Sequence, residues 1–461
     1  MKKDKKAEFT RLPFEVDERI DDSLVTAHAG VPLVIELFRA TGAAGVLDES
    51  VKIKSRKRGL AASEMAESLF ALWASGGERC EDFQQLREDA ALVALLGHEL
   101  PAPNTARDFM ESFHEDDLPL LQSGEKAVVP SESVPLQGLA KVNRRLVEWA
   151  QETAPEKTAT LDIDASIYVC GKESATMTYE GERGYQPVVA VWAEKDIVVA
   201  DEFRTGNVPA HSGNIRIVEK AFAALPAGVE TVYVRSDSAF YEHGVLRFLD
   251  GKKAGYGISA VMSPELRAAV ERLAESEWKT INEETDAVRQ WAEVAFCPND
   301  GDHRKEGPVA RRYLAIRIKK KQGILFADGS DRKHFAVVTN LEWEGDKILE
   351  WQRKKAGTVE HVHDVMKNGL AAGAFPSGKF GANAAWFRLN VICYNLISLF
   401  KRETLPGEFW TAKPKRLRFV LLNTVGKVIR HAGKTMLRLT TEVIRALFDG
   451  SRRKIQIPAP A

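Results

Sequence analysis

The chain has 461 residues, of which 44% are hydrophobic, and its 65 basic side chains balance 65 acidic ones. Because a single hydrophobic core stops growing at about 250–300 residues, this length predicts two or three domains. The sequence has no apolar run near the ~20 residues of a membrane span, no secretion signal and no cysteine spacing typical of zinc or disulfide frameworks, so we expect a cytoplasmic protein without a membrane partner.

The first part of the chain, residues 1–155, predicts a helical domain. Apolar residues recur there with helical periodicity, interrupted by glycine and proline. A segment rich in Ser, Gly, Glu and Pro predicts a linker at Gln122–Ser133. The predicted helices are Ala61–Trp73, Cys80–Leu96, Asn104–Phe113 and Leu136–Thr153.

Residues 156–262 predict strands that carry acidic side chains at chosen positions. Asp162 and Asp164 lie in a run of apolar and β-branched residues, and their spacing of two places them on the same side of a strand. Asp237 follows a second such run and precedes a predicted helix, which is the end of a strand where ligands bind in open α/β sheets. The other predicted elements are the strands Val188–Trp192 and Ile197–Phe203 and the helix Gly213–Leu225.

Residues 263–330 predict a β-rich insertion, after which the core resumes over residues 331–402. Basic residues of the insertion suit a surface that contacts phosphates: Arg311, Arg312, Lys319 and Lys320. The predicted strands are Glu277–Ile281, Ala292–Phe296, Arg312–Lys319, Ile324–Ala327 and, in the resumed core, His334–Thr339.

Glu360 lies in a segment whose apolar residues recur every three or four positions, which predicts an amphipathic helix. Lys367 is two turns further along the same face. Any such acid, taken alone, is more often a structural residue than a ligand. The following apolar stretch, Phe380–Arg402, predicts a helix that packs against the core sheet.

The last region, residues 403–461, is predicted to be helical and is rich in basic side chains. Such a cluster can neutralise phosphates and make binding salt-dependent. A solvated helix face explains the charges equally well. The candidate DNA-binding residues are Lys415, Arg416, Arg418, Lys427 and Arg430.

Three acids on different elements suit phosphodiester chemistry. Two divalent cations can activate the attacking oxygen and stabilise the leaving oxygen. Mg²⁺ prefers oxygen ligands and keeps several waters, so a few carboxylates suffice to bind it. A nearby lysine can hold a phosphate as a point charge, which gives Lys367 a role.

The segments around these acids resemble the DDE transposases of bacterial insertion sequences, specifically the transposase DDE domain group 1. The resemblance is carried by TLDIDASIYVCGKESATMTYEGERGYQPVVAVWAEKDIVVADEFRTGN, YVRSDSAFYEHGVLRFL and GTVEHVHDVMKNGLAAGAFPSGKFGANAAWFRLNVICYNL. It implies an α/β fold with a ribonuclease-H-like catalytic core that contains the β-rich insertion, and it places Asp164, Asp237 and Glu360 at the metal-binding positions. It also implies that the N-terminal helices recognise the ends of the element; the alternative is that they form a purely structural cap on the core.

Related cut-and-paste transposases carry the signature Tyr-x2-Arg-x3-Glu-x6-Lys around the last acid. Lys367 fits this signature, but Arg353 stands at the Tyr position and Ala356 at the Arg position. Trp351 and Arg353 could supply an aromatic ring and a guanidinium from a shifted position, and Lys354 or Lys355 could contact the phosphate instead. We therefore retain Asp162, Lys367 and Arg353 as possible catalytic neighbours.

The resulting hypothesis is a DNA transposase that cleaves DNA and transfers strands with two Mg²⁺ ions, for which Mn²⁺ is expected to substitute. Its expected partners are double-stranded DNA, as terminal inverted repeats and target, and a second copy of the chain bound to that DNA. We expect it to associate with the bacterial nucleoid. The alternatives are an inactive, domesticated DNA-binding protein and a ribonuclease-H-fold nuclease without strand transfer.

Overall fold

A large mixed sheet forms the centre of the molecule. The computed structural model describes residues 23–53, 59–116, 129–298, 309–321 and 324–455. Within these ranges the main sheet has nine strands in the order β10-β11-β12-β13-β9-β8-β2-β6-β7. The strands of the described residues are β1 (Val25–Thr26), β2 (Thr158–Ala165), β3 (Tyr168–Val169), β4 (Thr176–Met177), β5 (Arg183–Tyr185), β6 (Val188–Trp192), β7 (Ile197–Glu202), β8 (Thr231–Ser236), β9 (Gly255–Ala260), β10 (Lys279–Glu283), β11 (Ala287–Val294), β12 (Arg312–Lys320), β13 (Arg332–Thr339), β14 (Gly426–His431) and β15 (Lys434–Leu439).

Helices precede, cover and follow this sheet. The predicted helices Ala61–Trp73, Asn104–Phe113 and Leu136–Thr153 and the predicted strands β6 and β7 are confirmed, with ends shifted by a few residues. The predicted helix Cys80–Leu96 is wrong in part, because it is divided into a 3-10 turn and two short helices separated at residues 87–89. Residues 122–128 of the predicted linker lie outside the described ranges. The helices are α1 (Val31–Ala40), α2 (Ala43–Ser50), α3 (Ala62–Ser75), α4 (Phe83–Leu86), α5 (Ala90–Leu96), α6 (Pro103–Glu111), α7 (Val134–Thr153), α8 (Ile215–Ala224), α9 (His243–Gly251), α10 (Pro264–Glu271), α11 (Gly345–Arg353), α12 (Val359–Asp364), α13 (Phe380–Leu399), α14 (Pro414–Leu417) and α15 (Glu442–Ile455).

The middle of the sheet combines both strand directions. β2 pairs antiparallel with β6, and β6 pairs antiparallel with β7. On its other edge β2 pairs parallel with β8, which in turn pairs parallel with β9. The carboxyl ends of β2, β8 and β9 therefore meet at one edge of the sheet.

The strands of the predicted insertion continue this same sheet. β13 pairs with β9, and β12, β11 and β10 follow in antiparallel order. On one face they pack with α11 around Trp291, Leu314 and Ile348. The predicted strand Ile324–Ala327 is wrong: the Phe326 N–H donates to the Ser330 carbonyl, and the Gly329 N–H donates to the Phe326 carbonyl, which forms a turn around Asp328 and Gly329.

Helix α13 is the central helix of the fold, and every residue in it is buried. This confirms the predicted apolar helix that packs against the sheet, although its regular part ends at Leu399. The N-terminal helices share this core, because Trp73 of α3 packs edge-on against Trp386 with ring centroids 4.8 Å apart. Residues of the N-terminal helices, the sheet and α13 belong to one hydrophobic cluster.

The C-terminal region contains a β-hairpin, so the prediction that it is helical is wrong in part. β14 and β15 pair antiparallel, and β1 joins β14 to complete a small sheet. Ala432 and Gly433 between them both have positive φ angles of 50° and 73°, the geometry of a two-residue hairpin turn. The many basic residues of this segment led to the prediction of a basic helical region, so the turn was not predicted. Within the described ranges, no helix is long and apolar enough to cross a membrane.

Candidate active site

Asp164 and Asp237 emerge side by side from two central strands. In the parallel pair β2 and β8, Ile163 lies opposite Ser236. Asp164 follows Ile163 and Asp237 follows Ser236, so the two acids are neighbours across the strand pair. Both acids therefore stand at the carboxyl edge of the sheet, as the sequence predicted for Asp237. Their proximity is also electrostatic, because the charge of Asp164 acts on the pKa of Asp237.

Asp237 is held in an environment that disfavours its ionised form. Burial raises the pKa of its carboxyl, and the negative charge of Asp164 raises it further, while Lys355 acts in the opposite direction. Its Oδ1 accepts a hydrogen bond of 3.0 Å from the Ala239 N–H, which fixes the side chain as the cap of a short 3-10 turn. Two carboxylates that share one partly buried site repel each other, so a nearby positive charge stabilises their ionised forms.

Lys355 provides positive charge at this place. Its Nζ lies 2.7 Å from Asp164 Oδ2, and the side chains are 10% and 17% exposed. Lys355 belongs to the 3-10 turn Lys354–Gly357 between α11 and α12. It is 191 positions from Asp164 in sequence, and only the fold brings the two together.

Asp162 has a structural environment. The guanidinium of Arg235 donates to both of its oxygens, at 2.6 Å and 2.7 Å, and the Thr358 hydroxyl donates to its Oδ2. The side chain is fully buried. Asp162 and Asp164 share one face of β2, as predicted, and Asp162 connects β2 to β8 and to the turn that carries Lys355.

Glu360 lies on α12, the helix beside this edge. The buried face of α12, with Val359, Val362 and His363, is directed inwards. His363 contacts the Tyr168 hydroxyl and the Asp164 carbonyl, and its burial lowers its pKa to about 4. Glu360 is exposed, and its carboxylate forms no hydrogen bond or ion pair with the described residues. The structure therefore brings Asp164 and Asp237 together, with Glu360 on the neighbouring helix and outside direct contact.

Lys367 lies in the π-helical turn Val365–Gly369 that follows α12. Its Nζ donates to the Ser166 hydroxyl at 2.6 Å and lies 4.5 Å from the centre of the Tyr168 ring. Burial lowers its pKa, and Glu180 acts in the opposite direction. Ser166 is two residues beyond Asp164, so Lys367 lies at the same edge of the sheet. Arg353, at the end of α11, is exposed and makes no contact with either Asp in the described structure.

The hairpin that follows β2 brings Tyr179 to the edge of the site, a residue that sequence reasoning missed. Its side chain is 72% exposed. Its pKa is raised by partial burial and Glu180, and also by the charges of Asp237 and Asp164. Local sequence carries no signal for Tyr179 or Ser166, because each depends on the pairing of distant segments. Lys355 was a candidate for a phosphate contact, but its ion pair with Asp164 was not predicted.

The predicted DNA-binding residues of the β extension are engaged within the protein to different degrees. Arg311 pairs with Asp250 at 2.9 Å. Arg312 pairs with Glu293 at 2.5 Å and donates to two backbone carbonyls. Lys320 pairs with Asp286. Lys319 is half-buried.

The predicted C-terminal residues also differ among themselves. Lys415, Arg416, Lys427 and Arg430 are exposed. Arg418 instead donates to the backbone carbonyls of Trp73, Ala74 and Gly369, and burial lowers its pKa. Arg418 therefore connects the C-terminal region to α3, whereas the other four side chains are available to solvent.

The donor set at the edge of the sheet fits a hard divalent cation. Asp164 and Asp237 offer carboxylate oxygens, the ligands that Mg²⁺ prefers. Burial, and after it the charge of Asp164, raises the pKa of Asp237, so a cation bound there would stabilise its ionised form. Among the described residues no three His, Cys, Asp or Glu side chains are already arranged as a metal site.

The chain matches one protein-family model and is similar to several solved structures. Residues 14–456 match the family described as transposase DDE domain group 1. The chain is similar to the piggyBac transposase in a synaptic complex with hairpin DNA, determined by cryo-electron microscopy, with 9% identity, a TM-score of 0.43 and coverage of 93% of this chain and 82% of that one. No curated protein matches the chain.

Proposed function

The chain belongs to the transposase DDE domain group 1 family, and from this membership we propose that it is a DNA transposase that binds the ends of its insertion sequence, cleaves there and joins the freed 3′ ends to target DNA. The observation that carries the proposal is the pair Asp164 and Asp237, side by side at the carboxyl ends of parallel strands. With Glu360 as the third acid, this pair forms the proposed catalytic set.

The proposed catalytic core is ribonuclease-H-like and consists of β7, β6, β2, β8 and β9 with their helices. In support, β2 is central and has antiparallel neighbours on one side and parallel neighbours on the other. The strands β10 to β12 are the proposed insertion, and residues 1–155 and 403–461 are the proposed flanking DNA-binding regions.

Asp164, Asp237 and Glu360 are the proposed ligands of two Mg²⁺ ions, with Mn²⁺ as a substitute. When bound, such ions activate an attacking oxygen and stabilise a leaving oxygen at phosphorus. Glu360 is suited to the third position because its carboxylate has no partner among the described residues and α12 packs against β2. Movement of its side chain towards the pair on DNA binding completes the set.

The other side chains of the proposed site bind the substrate phosphate or hold the two acids in place. Lys367 is held beside Ser166, where its ammonium can bind a phosphate as a point charge. Asp162 and Arg235 fix β2 against β8 and so keep the two acids aligned. Cleavage and joining are both in-line phosphoryl transfers, so one site can perform both.

The proposed partners are double-stranded DNA and a second copy of the chain. The N-terminal helices would recognise the terminal repeats, and the exposed basic side chains of the C-terminal region would bind the phosphate backbone in a salt-dependent manner. Pairing of two element ends requires a dimer on DNA. The proposed location is the bacterial cytoplasm, at the nucleoid.

The test is cleavage of a labelled element end by wild type and by Asp237→Ala, with end binding measured in parallel. We expect the variant to bind normally and to lose cleavage. Asp346→Ala, which removes an exposed carboxylate at the start of α11, is the matched control and should cut like wild type. Normal cleavage by Asp237→Ala would overturn the assignment, and end binding without cleavage by wild type would favour the inactive DNA-binding alternative.

A further inference from the structure

Lys355 pairs with a carboxylate oxygen of Asp164, the type of ligand that a divalent cation prefers. Its ammonium lies 2.7 Å from Asp164 Oδ2 in a place where both side chains are largely buried. It also lowers the pKa of Asp237, so one cation acts on both acids. We propose that Lys355 is a built-in counter-cation of the acid pair, which a divalent ion displaces on binding; this rests on the proposed function.

The turn that carries Lys355 is anchored by hydrogen bonds, while its ammonium is held only through its ion pair with Asp164 among the contacts of the described residues. The Thr358 hydroxyl lies 3.0 Å from the Lys355 carbonyl and also contacts Asp162, which is itself held by Arg235. The backbone therefore stays beside the acids. The long aliphatic stem of a lysine allows its ammonium to leave Asp164 without movement of the turn.

Charge explains why such a residue is needed. Two adjacent carboxylates in a partly buried site repel each other, and a neighbouring opposite charge stabilises their ionised forms. Lys355 supplies this charge in the free protein, and a divalent cation can supply it in its place. Once released, the ammonium remains at the same edge of the sheet as Lys367 and becomes available to the substrate phosphate.

The neighbouring lysine provides a matched control. Lys354 lies in the same 3-10 turn, but its side chain is 65% exposed and lies 3.9 Å from Glu350 on α11. Lys354→Met and Lys355→Met remove the same charge one position apart. Only Lys355→Met removes a charge from beside Asp164 and Asp237. Comparison of the two variants therefore separates competition between Lys355 and the metal ion from a general change in surface charge.

The experiment is a titration of the full-length protein with Mn²⁺. Binding is measured by the loss of the electron paramagnetic resonance signal of free Mn²⁺, and stability by Tm. A neighbouring cation changes the proton affinity of a carboxylate by about 1–3 pKa units, so we expect Mn²⁺ to bind Lys355→Met roughly tenfold more tightly than wild type. Without metal this variant should have a lower Tm, which Mn²⁺ restores. Lys354→Met should match wild type in both measurements.

Unchanged or weaker Mn²⁺ binding by folded Lys355→Met would overturn the proposal. If Lys355→Met does not fold, Lys355→Gln serves in its place, because an amide can still donate to Asp164 without carrying charge, and the same tighter binding is expected. Asp164→Asn separates this proposal from the proposed function. If Asp164→Asn binds Mn²⁺ like wild type, Asp164 is not a metal ligand and the proposed function fails at this site. If Asp164→Asn loses Mn²⁺ binding while Lys355→Met binds Mn²⁺ like wild type, Asp164 is a metal ligand and only the proposed competition by Lys355 is wrong.

Discussion

Asp162 and Asp164 are two residues apart on one strand and have different environments. Asp162 is fully buried and accepts from both arms of Arg235, whereas Asp164 is partly open and meets Lys355. The alternation of a strand places both on one face and does not distinguish them. Their roles follow from which distant side chain reaches each of them.

We predict that Asp162→Ala destabilises the protein by about 3–5 kcal/mol, because it leaves the buried Arg235 guanidinium without its partner. Urea unfolding of the metal-free protein measures the change. Asp331→Ala, which removes the partner of an exposed arginine at the start of β13, is the control and should have little effect. A loss as small as that of the control would show that Asp162 is not a structural residue.

Asp237→Asn should have the opposite effect on stability. The pKa of Asp237 is higher in the folded protein than the ordinary value of 3.8. Above the raised pKa the carboxyl is ionised in both states, and its ionisation lowers the stability of the folded state. Below about pH 3.8 the carboxyl is protonated in both states, so this loss of stability disappears. Asparagine keeps the acceptor for the Ala239 N–H without the charge. We expect a higher Tm for the variant at pH 7 without metal, and no difference at pH 3; equal Tm values at pH 7 would contradict this account.

At the scale of elements, the strands and helices of the central sheet were predictable because each carries its own signal. β6, β7 and α13 have continuous apolar composition, and Asp237 follows a strand directly. The β14–β15 hairpin was missed because charge density masked its turn. The continuation of the main sheet through β10 to β12 was also missed, since pairing between strands leaves no local trace.

Glu132 connects the start of α7 to the central helix. Burial acts to raise its pKa, but Arg388 at 3.0 Å and Lys220 at 2.6 Å outweigh burial and lower it to about 2. A lowered pKa contributes stability that is present above the unfolded value of 4.5 and is lost as the pH falls towards 2.

We therefore predict that Glu132→Gln loses about 2–3 kcal/mol at pH 7 and that the loss shrinks as the pH falls from about 4.5 towards 2. Denaturant unfolding across this pH range measures it. Glu148→Gln, on the exposed side of α7, should have little effect at any pH. A Glu132→Gln loss that does not depend on pH would show that the charge is not responsible.

At the scale of the whole molecule, the N-terminal helices and the sheet share one core. Trp73 of α3 and Trp386 of α13 meet edge-on, and Arg418 of the C-terminal region donates to carbonyls of α3. Gly30, just before α1, lies so close to the backbone at Leu421 that an added Cβ would be 2.2 Å from that carbonyl oxygen. Regions distant in sequence therefore depend on each other for stability.

We predict that Trp73→Ala costs about 3–5 kcal/mol and increases hydrogen exchange in α13 as well as in α3. Hydrogen exchange followed by mass spectrometry resolves the two helices. Val443→Ala, which truncates an exposed side chain of α15, is the control. An increase confined to α3 would contradict a shared core.

We propose that Asp164, Asp237 and Glu360 together catalyse strand transfer. Substitution of Glu360 tests this most directly, because Glu360 lies outside direct contact with the other two acids. The measurement is joining of precut, labelled element ends to a supercoiled plasmid with Mg²⁺, for wild type, Glu360→Gln and the control Glu350→Gln on α11. We predict joined product from wild type and Glu350→Gln, and none from Glu360→Gln despite normal end binding. Joining by Glu360→Gln at the wild-type level would contradict the claim.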